Sequence, residues 1–505
     1  MSENPYSLEL ARRGLKHFAI GRILVGLVGV ALLLLTVRRL DPSDLGSYMF
    51  LVAIQGIATM ASSIGLFGFV ERYIPEYRVR GSTRQLGVAI SFAVAGRLST
   101  LALACGLLFW AGTDLAAFFG LPVAIEIFRL YLLVILIEGT GRFIDLVFET
   151  LLMQWPTQVS NLLRTLVKLG GLLLIVGNRD WTLQDIVVWD AVASCAALVF
   201  AVSALCLGIR RLGRPRLRGE FDRTTMVRFA AYNYAALLGH QIYGVDTLKL
   251  LVTKLLGVLE TAAYGLAYSL VDILRRYLPA QLLLGTIRPL VIASYLESRS
   301  MARPLFLANL VLKLNIFLIA PALAVAVALG GPLLELIGKG RYPEAYGYIL
   351  ALLLLLVAQT IHLMVAVLAA TIERNDLVMR ATWLAMAGAA VAVITIPIIG
   401  VWGAVAAAYV SEFGYCYVVA RGLRAVCHQS AVCWKNLGRL AAIFIITAVS
   451  SWLASHLIPA TNAFLTLSAC LVVGCYFGIA FVWKPFSDLE RELINRLLPK
   501  PLFVW

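Results

Sequence analysis

"LDPSDLGSYMF", residues 40–50, leads from one long apolar run into another, and "LGVLETAAYGL", residues 256–266, does the same further on. Aligning the two sets Asp44 against Glu260 and Tyr48 against Tyr264. A second pair agrees: "DLAAFFGLPVAIEIFRLYLLVILI" (114–137) matches "PLLELIGKGRYPEAYGYILALLLLLV" (332–357) once three residues are inserted after Gly338. Both offsets are about 216–220 residues, which is six apolar runs. An even number of membrane crossings between equivalent segments keeps their orientation. The expected architecture is therefore two six-helix lobes related by an axis along the membrane normal, with a site between them.

Composition makes those runs transmembrane. The 505 residues are 61% apolar and 14% charged, with mean hydropathy +0.87, where a soluble domain is about half apolar and a quarter charged. A single soluble domain is excluded. Runs long enough to cross roughly 30 Å of hydrocarbon fall at 17–37, 45–69, 86–111, 123–151, 157–177, 184–208, 226–250, 261–287, 305–329, 345–371, 377–399, 401–420, 437–457 and 463–483. The fold class is an all-α polytopic membrane protein of about fourteen transmembrane helices. Its expected parts are an N-lobe at 17–211, a C-lobe at 226–422, a peripheral helix pair at 437–484 outside the repeat, and an amphipathic tail at 486–499.

The first run follows Arg12, Arg13 and Lys16 but ends in "LLLLTVRRLDPSD", without the small-residue cleavage site of a signal peptide, and is read as a retained span. The net charge of +15 is carried by basic clusters on alternate loops, including "GIRRLGRPRLRGEFDRTT" between spans 6 and 7. By the positive-inside rule both termini are cytoplasmic, and the basic balance reflects membrane topology, not a nucleic-acid partner. Eight cysteines lack zinc or redox spacing, so neither disulfide nor metal is expected.

Ionisable residues nevertheless lie in or near the spans at Arg22, Arg97, Glu138, Arg142, Asp145, Glu149, Arg164, Lys168, Asp190, Asp246, Lys249, Asp272, Arg275, Arg276, Lys313, His362 and Glu412. A lipid-facing charge at mid-bilayer costs about 2.5–3.5 kcal/mol, so ten would exceed the roughly 5–15 kcal/mol stability of a folded protein. These groups must face protein or water. Tyr131, Glu138, Arg142, Asp145 and Glu149 share a narrow arc of span 4. Tyr264, Tyr268, Asp272 and Arg275 form a second stripe, and Asn161, Arg164 and Lys168 a third. Glu138 with Arg142, Arg142 with Asp145, Asp246 with Lys249, and Asp272 with Arg275 are spaced to pair along one helix. Arg22, Arg97, Arg164, Lys168 and Lys313 have no carboxylate at i±3 or i±4 in their own span. Arg22 and Lys313 are placed to snorkel to headgroups. Arg164 and Lys168, one turn apart, are candidates to bind an anion, with Glu149, Asp190 and Glu412 as competing partners from other helices.

Glu412 is a candidate coupling carboxylate, and His362 is read as a hydrogen-bonded bundle residue. Glu71 and Arg72, with Pro75 beyond them, are read as anchors where span 2 bends or ends. The tail "PFSDLERELINRLLPK" (485–500) spaces Leu489, Leu493, Ile494, Leu497 and Leu498 for a helix lying on the membrane surface or for a short soluble cap. No G-x-x-x-x-G-K-[ST], H-E-x-x-H or G-x-S-x-G occurs, so there are no candidate catalytic residues and the expectation is a non-enzyme.

Fourteen spans, the parallel repeat, "LDPSDLGSYMF", "VERYIPEYRVRG", "GPLLELIGKGRYPEAYGYILALLLL" and "IPIIGVWGAVAAAYVSE" together resemble the polysaccharide transporter (Wzx-type) branch of the multidrug/oligosaccharidyl-lipid/polysaccharide (MOP) exporter superfamily. The resemblance implies flipping of undecaprenyl diphosphate-linked oligosaccharide across a bacterial inner membrane by alternating access, for surface polysaccharide synthesis. It implies no cofactor, coupling to a proton or sodium gradient, and membrane lipids, a polysaccharide polymerase and glycosyltransferases as partners. Carried over by residue class, the substrate-binding cations are Arg164, Lys168, Arg142, Arg97, Arg275 and Arg22. The coupling or cavity-lining acids are Glu138, Asp145, Glu149, Asp272, Asp246 and Glu412. The lipid II flippases of the superfamily group several arginines in spans 1 and 2, where this sequence has only Arg22, which favours a surface polysaccharide unit. A twelve-span drug/cation antiporter of the same superfamily and a non-transporting synthase scaffold are the alternatives.

Overall fold

The computed structural model describes residues 8–80, 83–120, 123–175, 180–211, 223–282, 291, 294–295, 300–432, 437–455 and 462–497. Residues 212–222 of the basic loop between spans 6 and 7 and the end of the tail lie outside them. Among the described residues the elements are helices, with one isolated bridge between Leu40 and Trp181. The chain divides into two compact units after Ala262.

The first unit contains α1 (Leu8–Arg39), α2 (Pro42–Ala61), α3 (Leu66–Arg80), α4 (Thr83–Trp110), α5 (Gly112–Phe119), α6 (Ile125–Thr150), α7 (Gln154–Ile175), α8 (Leu183–Arg211), α9 (Arg223–Tyr243) and α10 (Val245–Leu256). Helix α11 (Val258–Arg276) begins in it and crosses the division. Because α10 packs on α2 and α9 on α3, this unit ends one span later than the repeat-based lobe boundary.

Helix α6 is central and packs on α4, α7 and α8. Its residues Phe128, Tyr131 and Ile135 join an apolar cluster with Phe50, Leu101 and Val187, while Phe143, Phe148 and Leu151 join another with Val70, Ile90 and Leu205. Glu138 and Arg142 lie between these two stretches. Burying either apolar cluster stabilises by about 25 cal/mol per Å², and this packing holds the charged layer in the interior.

Span 2 is not one helix. Asp41 accepts from Ser43 N–H at 3.1 Å and Pro42 occupies the first turn, so α2 starts as the sequence directs. It stops at Ala61, where the Ser62 hydroxyl donates to the Ala58 carbonyl, and the chain turns through Ile64 at φ 41° and Gly65 at φ 77°. A Cβ on Gly65 would lie 2.6 Å from the Ala230 carbonyl oxygen of α9, so glycine is required there twice over. Helix α3 then runs through Pro75 to Arg80, so that proline does not end it. Span 7 is likewise broken, at Gly244 between α9 and α10. In the second unit α11 stops at Arg276 and α12 (Pro279–Leu282) follows. The offset that pairs Asp44 with Glu260 carries the Ser62 break onto Leu278. Left-handed residues after α5 (Gly120, φ 62°) and after α13 (Ala302–Gly338; Lys339, φ 52°) also fall at the repeat spacing.

The second unit continues with α14 (Ala345–Thr371), α15 (Asn375–Ile399), α16 (Val401–Cys427), α17 (Gly438–Ser455), α18 (Asn462–Trp483) and α19 (Asp488–Leu497). Helix α13 packs on α14, α17 and α18, and α16 on both α14 and α15. Nine helices among the described residues are long and apolar enough to cross a membrane. Helix α6, though 26 residues long, is not among them because of its charges. The chain is an all-α polytopic membrane protein.

Two expectations at the C-terminal end are corrected. Lys313 does not snorkel to headgroups: its ammonium lies 2.7 Å from Glu490 of α19, both side chains buried, and over the Phe486 ring at 5.1 Å. The tail helix does not lay its apolar face on the membrane, because Phe486 and Ile494 are buried with Leu310, Phe317, Leu440 and Tyr476. Ser487 and Glu490 close a capping box, in which Ser487 N–H donates to Glu490 Oε2 at 2.8 Å.

Candidate functional site

Glu138 is the hub of the charged layer in the first unit. One turn away on α6, Arg142 donates from Nε to Glu138 Oε1 at 2.7 Å, with Nη2 at 2.5 Å. Arg164 of α7 places Nη1 3.7 Å from the same oxygen. Gly141 of α6 lies beside this guanidinium: a Cβ there would stand 3.4 Å from Arg164 Nη2, in ordinary contact. Nε and Nη2 of Arg164 have no hydrogen-bond partner.

Lys168, the next turn of α7, faces elsewhere. Its ammonium is 2.5 Å from Asp190 Oδ1 of α8 and donates to the Tyr48 hydroxyl at 2.8 Å. Tyr48 in turn donates to Asp190 Oδ2 at 3.0 Å, which closes a triangle across α2, α7 and α8. Tyr131 stands edge-on to Tyr48 and donates to Gln55 Oε1 at 2.7 Å. Thus Arg164 and Lys168, expected to act as a pair, belong to adjacent subsites, one centred on Glu138 and one on Asp190. Tyr48 and Gln55 were missed as site residues, although their seven-residue spacing puts both on one face of α2.

Asp145 is buried and neither carboxylate oxygen has a hydrogen-bond partner, so the spacing-based pair with Arg142 does not form. Arg97 of α4 is 0% exposed: Nη1 donates to Ser62 Oγ at 3.0 Å, its plane sits 5.3 Å from the Phe67 ring centroid, and Nε and Nη2 have no partner. It therefore fastens the Ser62 break. Asp246 and Lys249 pair at 3.9 Å as their spacing predicts, and a Cβ on Gly56 would lie 2.0 Å from Asp246 Oδ2, so α10 seats its carboxylate directly on α2. Arg22 on α1 and Glu149 on α6 lie within electrostatic reach of each other.

In the second unit Asp272 holds two arginines, Arg275 at 2.6 Å and Arg276 at 2.7 Å. His362 of α14 and Glu412 of α16 are joined Nδ1 to Oε2 at 2.7 Å, with the imidazole stacked on Tyr415 at 3.6 Å between centroids. Among the described residues no group of three or more His, Cys, Asp or Glu side chains is placed to hold a metal ion.

The lipid II flippase MurJ in an inward closed conformation superposes with a TM-score of 0.64 at 11% identity, covering 94% of this chain and 99% of MurJ. A MOP superfamily transporter from Pyrococcus furiosus gives 0.55 at 14% identity over 85% of this chain and all of that one. The Vibrio cholerae MATE transporter VcmN gives 0.52 at 12% identity over 83% and 98%. The chain shares its fold with these three structures. No protein-family model and no curated protein sequence matches it.

Proposed function

We propose that this protein is a flippase that moves an undecaprenyl diphosphate-linked oligosaccharide from the cytoplasmic to the outer leaflet of a bacterial inner membrane, for assembly of a surface polysaccharide. The observation that carries this reading is the set of guanidinium donors left open in an apolar interior. Arg164 keeps two nitrogens without partners while sharing Glu138 with Arg142, whose side chain is 58% exposed. A charged donor left unsatisfied in a buried site costs more than about 1–3 kcal/mol, and diphosphate oxygens are suited to a bidentate guanidinium. Arg97, with two buried nitrogens also left open, is a second such donor beside the Ser62 break. Lys168 and Arg275 are secondary in this scheme because Asp190 and Asp272 already hold them, and Arg22 is secondary because it lies within electrostatic reach of Glu149. Polymerase and glycosyltransferases are the partners on either side of the flip, and both termini are cytoplasmic.

Coverage favours this reading over a drug antiporter. MurJ aligns over 94% of the chain, whereas the MATE transporters align over 82–83%. Helices α17 and α18 add a flank beside α13 with exposed Ile445, Val449 and Leu471, an apolar surface suited to a polyprenyl tail.

The test is mass spectrometry of lipids extracted from cells lacking the protein, with a leaflet-accessibility assay for sugar-loaded undecaprenyl diphosphate. Accumulation on the cytoplasmic leaflet, reversed by the intact gene and not by a normally expressed Arg164→Ala variant, is expected. Hypersensitivity to cationic drugs without lipid accumulation overturns the reading in favour of an antiporter. Normal lipid turnover with neutral substitutions tolerated along the stripes points to the scaffold.

A further inference from the structure

Helices α14 and α16 are fastened at three levels, and the third differs in kind from the first two. Tyr409 donates to the Ala351 carbonyl at 2.7 Å, and the Cys416 thiol to the Ala358 carbonyl at 3.6 Å. Both are side chain-to-backbone bonds in which neither partner carries charge. One turn beyond Ala358, the contact is His362 Nδ1 to Glu412 Oε2 at 2.7 Å, with side chains 17% and 10% exposed. The ring is held nearly parallel to Tyr415, at 6°. A charged imidazole makes this a salt bridge. A neutral one leaves Glu412 as a buried carboxylate without a cation on α14, which favours hydration or a new partner.

A new partner is close. Arg275 of α11 is within electrostatic reach of Glu412, and it shares Asp272 with Arg276, so that trio carries two positive charges against one negative. Other titratable groups on the packed elements are Tyr346 and Tyr348 on α14, and Tyr409, Tyr415, Cys416, Tyr417, Arg421, Arg424 and Cys427 on α16. Helix α13 adds Arg303, Glu335 and Lys313, the last committed to Glu490, and α15 adds Arg380 and Asp376, the last held by Arg374 at 2.7 Å.

We propose that His362 and Glu412 are a proton-binding site of the second unit that works as a clasp between α14 and α16. With the proton bound, the imidazolium closes the clasp. On its release to water, the imidazole is neutral and the Glu412 carboxylate turns toward the Arg275–Asp272–Arg276 trio. The proposal rests on the transporter reading only for its link to the cycle.

Histidine side-chain NMR in lipid nanodiscs tests it, with the resonance assigned by its loss in His362→Gln among the protein's five histidines. The His362 signal is expected to respond to pH within the range in which imidazoles change charge, about pH 5 to 8, and to follow a displaced curve in Glu412→Gln. Flipping rates in proteoliposomes are expected to lose their pH dependence in both variants. His362→Gln should resemble the intact protein at high pH. An imidazole that does not titrate in that range, a curve unchanged by Glu412→Gln, or an unaltered pH profile in both variants overturns the proposal. Absence of lipid flipping by intact protein with the titration as expected overturns the proposed substrate and leaves the clasp standing.

Discussion

Glu138 serves two guanidiniums at once, so its removal exposes more than one lost contact. Glu138→Gln keeps the shape and deletes the charge that Arg142 and Arg164 share. Breaking a buried ion pair by removing one partner costs about 3–5 kcal/mol, and thermal unfolding in detergent should show a loss of that order. Arg142→Ala, whose side chain is the exposed member, should cost less than half as much in the same measurement. The stripe containing Glu138 was legible because a single helix repeats with fixed geometry, and the Glu138–Arg142 contact follows from spacing alone. Lys168 with Asp190 was legible only as one of several pairings, since the register between α7 and α8 is set by packing. Gly171 sets part of that register: its bare Cα lies against the Trp189 ring, which a Cβ would approach to 2.1 Å.

At the scale of elements, every expected span is matched by described helix over most of its length, because length and hydropathy are local properties. The breaks were not legible. "MASSIGLF" contains no proline, and the interruption depends on α9 passing against Gly65 and on Arg97 bonding to Ser62. The seat of the tail was not legible for a related reason. Its amphipathic pattern fits a membrane surface as well as a protein surface, and only the partner Lys313, far away in sequence, distinguishes them. Glu490→Ala should therefore undock α19, raising hydrogen exchange over residues 488–497 toward that of an isolated short helix. Lys313→Met combined with Glu490→Leu should restore protection, since a well-packed apolar pair can replace a buried ion pair without loss. If the single and double variants exchange alike, the ion pair is not what holds the tail.

At the scale of the whole molecule, the two halves share more than sequence. The break after α2 and the break after α11 fall at one offset, as do the left-handed turns after α5 and α13, although the residues at these points differ. Backbone interruptions are thus kept between the two halves where side chains have diverged. Deleting α17 to α19 should remove lipid flipping while leaving the helices of the first unit protected from exchange, because they form a compact unit of their own.

The charges of α6 also bear on how the chain enters the membrane. Glu138, Arg142, Asp145 and Glu149 make this segment too polar to partition alone, at about 2.5–3.5 kcal/mol for each central charge. Its cross-helix partner Arg164 is made later, and so are Lys168 and Asp190, which complete the neighbouring triangle. At roughly 5–20 residues per second, α6 waits seconds for α7 and α8, and the three must pass from the translocon to lipid together. Glycosylation mapping of truncated chains should find α6 incompletely inserted when translation stops at residue 153 and fully inserted when it stops at residue 211. Full insertion of the shorter chain would mean that α6 enters unaided.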